Sequence, residues 1–195
     1  MRQTQTARRG LGIRGQLMFF LCFICLFLLG LFWFLSTQLL EPLYTKHIEK
    51  QLTTQAESVV ARLDKALEGG TQLSSWSFGR LYVNTGFFDQ LAVDLYASGA
   101  LSSFCVDISD STLRQIYKIE NQSYCNLHET YLSDAANNQV VNTAIAMRKK
   151  CRNTPGGFKQ TLNPPRLSGS AQLLVGRTTA DGAYTVLVTT SLVHV

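Results

Sequence analysis

Leu17 to Leu35 reads LMFFLCFICLFLLGLFWFL, nineteen residues without a charge. As an α-helix it would cover roughly 28 Å, close to the ~30 Å hydrocarbon core of a bilayer. A helix in a protein core rarely runs this long without a polar face. A cleaved signal peptide has a shorter apolar stretch and small residues at its cleavage site. Here the run closes on Trp33-Phe34-Leu35 and continues Ser-Thr-Gln-Leu-Leu-Glu-Pro, with no A-x-A-like site. Residues 17–35 are therefore predicted to be an uncleaved transmembrane helix with the lipid bilayer as its partner, and this decides where the remaining chain works.

The flanks set an orientation. Residues 1–16 carry Arg2, Arg8, Arg9 and Arg14 and no acid. Such a basic arm stays in the cytoplasm. Beyond the apolar run the charges are mixed (Glu41, Lys46, Glu49, Lys50), and Trp33 and Tyr44 lie where interfacial aromatics are expected. Residues 36–195 are thus expected to be extracytoplasmic. The net charge of +5 comes from eighteen Lys and Arg against thirteen Asp and Glu. Without the four arginines of the arm, fourteen cations face thirteen anions. The basic balance reads as membrane topology and not as a nucleic-acid surface.

The five cysteines divide in the same way. Cys22 and Cys25 lie inside the apolar run, where a C-x-x-C has no redox or metal role. Cys105, Cys125 and Cys151 lie in the outer part, where disulfides persist. Cys105 and Cys125 flank a predicted hairpin and are the candidate disulfide, with reduced, buried cysteines as the alternative. Cys151 would then be free or would pair with a second chain.

Residues 36–70 read as a membrane-proximal helix. Pro42 suits a first helical turn, and Gly69-Gly70 is a stop signal. Ile48, Leu52, Ala56, Val59 and Leu63 recur at steps of four and three, near the heptad period. They form a candidate dimer seam continuing the membrane helix; the alternative is a stripe that packs on its own domain, and both can hold, with the membrane end in the seam and the far end on the domain. Residues 71–86 are turn-rich. Phe87 to Ser98 is predicted as a short amphipathic helix closed by Gly99. The period then changes to two. Ser103 to Ile108 places Phe104, Val106 and Ile108 on one face, and Leu113 to Ile119 follows a Ser-Asp-Ser turn. A helix is predicted from a cap at Ser133 or Asp134, with Ala136, Val140, Val141, Ala144 and Met147 as its apolar stripe and Arg148, Lys149, Lys150 and Arg152 at its end. Phe158–Leu162, Gln172–Thr179 and Tyr184–Leu192 are the last strands, the final pair joined by Ala180-Asp181-Gly182. Short connections imply antiparallel pairing, so residues 71–195 are predicted to be an α+β domain on about five antiparallel strands.

Visible chemistry is sparse. No G-x-S-x-G, H-E-x-x-H or phosphate-cradling glycine loop is present. His47, His128 and His194 stand far apart, and Cys125 with His128 supplies two metal ligands at most. No catalytic residue, metal site or cofactor is expected. Asn121-Gln122-Ser123 matches a glycosylation acceptor. Arg148 to Arg152 is the one dense charge cluster outside, read as a solvated helix terminus, with an anionic ligand or lipid headgroups as the alternative.

The layout resembles the amino-terminal input half of a bacterial two-component sensor histidine kinase. The features that carry the likeness are the short basic arm with a single anchor, the helix L-E-P-L-Y-x-K-H-I-x-K-Q-L from Leu40 to Leu52, the strand F-C-V-D-I with its turn and partner, and the final hairpin ending L-V-T-T-S-L-V-H-V. The resemblance implies a PAS-like outer domain, a homodimer, and an unknown small ligand or peptide as the signal. It also implies a second membrane helix after the last strand. The linker, phosphorylatable histidine and ATP-binding half of a protein-histidine kinase, and contact with a cognate response regulator, would then lie outside these residues, and the chain is expected to be the truncated input region. The ligand's pocket residues cannot be named from sequence. A single-pass anchored scaffold or adaptor without kinase output is the other expectation. A pilin-like subunit is set aside because its early glutamate is missing from Gly15-Gln16-Leu17-Met18-Phe19-Phe20.

Overall fold

The computed structural model describes residues 13–97, 104–119, 131–134, 139–154, 156–162 and 171–192. The chain divides into two compact units, Met1–Thr45 and Lys46–Val195. In the first, helix α1 spans Ile13–Leu35 and a π-helical turn covers Ser36–Leu40. The Thr37 hydroxyl donates to the Trp33 carbonyl at 2.9 Å, feeding a side chain into the backbone ladder there. No residue of α1 is buried, and Phe19, Leu26, Phe32 and Trp33 all stand open. The helix is long and apolar enough to span a membrane.

Helix α2 spans Glu41–Glu68. It ends where Gly70 takes φ 73° and the amides of Gly70 and Thr71 bond back to the carbonyls of Leu67 and Ala66. Strands β1 (Ser74–Ser77) and β2 (Arg80–Val83) make a small hairpin, and helix α3 follows over Thr85–Ala97. Asn84 starts α3 by accepting the Phe87 amide at 3.2 Å. Strands β3 (Cys105–Asp110) and β4 (Gln115–Ile119) are joined by a tight turn. A second small hairpin, β5 (Tyr131–Asp134) and β6 (Gln139–Asn142), leads into helix α4 (Thr143–Arg152). Strands β7 (Phe158–Leu162), β8 (Ala171–Thr178) and β9 (Tyr184–Leu192) complete the described elements.

Five strands form one antiparallel sheet in the order β4-β3-β9-β8-β7. The last strand is therefore central. Alternation along it divides the core. Tyr184, Val186 and Val188 join Leu173, Val175, Val106 and Ile108 in a cluster completed by α2 and α3. Leu187 and Leu174 face the other way and pack with Ala144, Met147 and Cys151 of α4. The chain is thus α+β, with an antiparallel sheet carrying helices on both faces.

Two expectations need correction. Leu52, Ala56, Val59 and Leu63 are fully buried in the first cluster, and Ile48 packs against it. The apolar stripe of α2 is taken up by its own domain, so it is not a seam for a second chain; one narrow stripe can be buried only once. Polar contacts fix the same docking: Glu49 pairs with Lys159 at 2.6 Å, Glu57 with Arg177 at 3.4 Å, and Asp64 accepts the Ala180 amide at 2.9 Å. The helix predicted from Ser133 or Asp134 is also shorter than expected. Tyr131–Asp134 and Gln139–Asn142 pair as strands β5 and β6, and the cap is Asn142, whose side chain accepts the Ala144 amide at 3.0 Å.

The order of those α2 contacts gives a direction. From Glu49 to Asp64 the partners advance from Lys159, which pairs with Val175, through Arg177 to Ala180. Helix α2 therefore runs alongside β8 in the same sense and opposite to β9. The Leu192 end of β9 therefore lies at the end of this unit where α2 begins.

Candidate functional site

Alternation along β3 and β9 puts Cys105, Asp107, Ser109, Thr185, Leu187 and Thr189 on the sheet face beneath α4, in opposed pairs Cys105 with Thr189, Asp107 with Leu187 and Ser109 with Thr185. Asp107, Ser109, Thr185 and Thr189 are all buried. A buried polar strip through the middle of a sheet face is costly unless each group finds a partner.

Arg148 answers the charged member. It is buried on α4, and its Nε and Nη2 donate to the two carboxylate oxygens of Asp107 at 3.0 and 2.6 Å. Its Nη1 donates to the Leu113 carbonyl at 3.0 Å. This two-pronged fork ties α4 to β3 and to the β3–β4 turn. Arg152, one turn on, donates to the Ser111 carbonyl of the same turn. The basic cluster is therefore not a uniformly solvated terminus. Arg148 is committed inward and Arg152 holds the turn, while Lys149 and Lys150 stay exposed, Lys150 donating to Gln160 at 2.6 Å.

The other end of α4 is differently equipped. Thr143 is the first helical residue and is 2 % exposed, yet its Oγ1 has no hydrogen-bond partner among the described residues. Amides of a first helical turn have no intrahelical acceptors. A buried hydroxyl without a partner beside such amides is an open hydrogen-bonding position. At the opposite end of the sheet strip, Asp110 accepts from the Thr112 hydroxyl at 2.6 Å, the Thr112 amide at 2.8 Å and the Arg114 amide at 3.0 Å. The Trp76 indole also reaches it at 3.5 Å, and the Arg114 guanidinium lies 4.4 Å from the Trp76 ring centroid. Burial pushes the Asp110 carboxyl up, but these donors outweigh it and hold its pKa below the usual carboxylate value.

Of the residues singled out in the sequence, Cys105 is disulfide-bonded, and Cys22, Cys25 and Cys151 are free thiols. Cys125, His128, His194 and the Asn121 acceptor lie outside the described residues. His47 is exposed on α2. Cys151 is buried against Gly176, and burial pushes its thiol up to about 12, so it is protonated at neutral pH and is no nucleophile. No group of three or more potential metal ligands occurs among the described residues. Sequence reading missed the buried strip because Asp107, Ser109, Thr185 and Thr189 look like the solvated face of an amphipathic strand. The signal that could have revealed it was the second apolar set, Leu174 and Leu187, which requires a cover on that face.

Arg148 thus pins helix to sheet, and Thr143, whose hydroxyl is buried without a partner among the described residues, lies at the far end of the same helix. No family model, curated protein or solved structure matches this chain, so its function is read from this geometry alone.

Proposed function

We propose that the chain is the extracytoplasmic signal-sensing input module of a membrane-bound sensor histidine kinase, acting in a homodimer. The observation that carries the reading is directional: within the folded unit, the Leu192 end of β9 lies at the same end as the start of α2. A ligand held by such a unit moves one of these elements against the other. Five antiparallel strands with a long helix on one face are compatible with a PAS-like fold. The signal is a small polar ligand at the first turn of α4, engaging Thr143. The pin from Arg148 to Asp107 carries the displacement of α4 into β3 and so into its neighbour β9. Cys125 is the candidate partner of the disulfide-bonded Cys105. A second copy meets α2 on its outward face, at Gln51, Thr54 and Ala61, because the inward stripe is occupied.

The first test is topology. External protease added to spheroplasts should digest residues 46–195 and spare a short fragment containing the basic arm; full protection of the folded unit would end the proposal. The second is ligand binding by the full chain in lipid nanodiscs. Small metabolites, peptides and ions that bind should raise the melting temperature, and Thr143→Val should remove the shift.

One observation favours a second reading, an anchored adaptor for a partner protein. Trp76, Phe78 and Tyr82 of the β1–β2 hairpin are all exposed aromatics, with Phe78 98 % exposed at the tip. In that case the reading frame after Val195 encodes no kinase domain.

A further inference from the structure

We propose that the groove between α2 and α3 binds a small carboxylate with an apolar body. The groove is an open depression of about 360 Å³, within the size range of small-ligand sites. Ala66, Phe87 and Leu91 supply its apolar lining. These two helices cover the sheet face opposite α4, so the groove is separate from the Thr143 position.

Charge on the rim selects the ligand. Asp94 accepts from Arg62 Nη1 at 2.6 Å through one oxygen and from Gln90 at 2.9 Å through the other. Gln90 first, and then Arg62, hold its carboxyl below the ordinary value. Both oxygens of Asp94 are thus engaged within the rim. Arg62 has five N–H donors, of which Asp94 takes one. Lys65 stands three residues on, on the same side of α2. Arg62 and Lys65 against Asp94 leave one net positive charge on a lining that also holds apolar side chains. An apolar neutral molecule would leave this rim without a counter-charge, and a bare anion would leave the apolar lining uncovered. A carboxylate carrying a ring or short aliphatic chain satisfies both.

Occupancy of this groove is read by direct binding, so the result stands whether or not the chain signals. The full chain in zwitterionic nanodiscs would be titrated with 3-phenylpropionate, with its amide and with acetate, following the methyl resonances of Ala66 and Leu91. The acid is expected to shift both methyls, and the amide and acetate to bind at least about tenfold more weakly. Lys65→Glu, at an exposed position, should weaken the acid about tenfold with the melting temperature unchanged. Gln90→Trp, which fills the mouth, should abolish the shift. Absence of any methyl shift at low-millimolar acid, equal binding of acid and amide, or indifference to both substitutions would each overturn the proposal. So would concentration-dependent shifts without ligand, which would assign the groove to a second copy of the chain.

Discussion

Phe78 combines two costs at one position. Its side chain is almost fully exposed, and its backbone sits at φ 50°, followed by Gly79 at φ 73°. Positive φ at both central residues is the mirror-image turn that suits a two-residue hairpin, but only glycine and asparagine take it readily. Phe78→Asn is therefore expected to stabilise the folded unit by about 0.5–1 kcal/mol, read from urea denaturation. Asp110 makes the opposite case, a carboxylate whose hydrogen-bond donors together outweigh the cost of its burial. Its folded pKa lies below the unfolded value of about 3.9. Its stabilisation is therefore fully present above that unfolded value and is lost as pH falls through the depressed folded one. Asp110→Asn should cost about 1–2 kcal/mol near neutrality and flatten the acid limb of stability against pH, measured as urea midpoints across the acid range. An acid limb identical in the variant would mean that this carboxylate is not what holds the β3–β4 turn.

At the scale of elements, α4 is held by one buried ion pair, and pairs of this kind are asymmetric. Arg148→Met alone leaves Asp107 buried without its counter-charge and should cost about 3–5 kcal/mol, whereas the double variant with Asp107→Leu should recover most of that loss. Thermal melts of the two single variants and the double variant form the cycle that checks it. How far such elements were legible in the sequence depended on how their cores are built. Strand β9 was legible because Val186 and Val188 bury on one face while Leu187 faces the other, and because Ala180-Asp181-Gly182 supplies a glycine at φ 69°. The α2 stripe was legible as a stripe but not as to its partner, since a heptad-like spacing fits a sheet as well as a second helix. The β5–β6 hairpin was hidden because Val140 and Val141 also fit the helical period leading to Ala144 and Met147, and the deciding residue was the Asn142 cap. The β1–β2 hairpin was hidden because its serines and Phe78-Gly79 lack the usual turn dipeptide. Arg148 was unreadable as a buried residue, since its anion stands forty-one positions away in Asp107.

For the whole molecule, two kinds of apolar surface meet different fates. The side chains of α1 are not buried among the described residues, on a helix long and apolar enough to span a membrane, whereas the apolar stripe of α2 is covered within its own unit. Leu52→Glu should therefore unfold the Lys46–Val195 unit, a loss of about 4 kcal/mol or more, while Gln51→Glu next to it should change stability by less than about 0.5 kcal/mol. Circular dichroism melts separate the two outcomes, and a cooperative, wild-type-like melt for Leu52→Glu would place that residue outside the core. The central position of β9 has a mechanical consequence. A pull along this strand from its Leu192 end meets ladders on both edges, β3 on one and β8 on the other. The strand cannot peel away one bond at a time and has to be sheared from two neighbours at once. Tension arriving there would be passed on to the body of the sheet as a near-rigid tug, with little of it dissipated in local fraying.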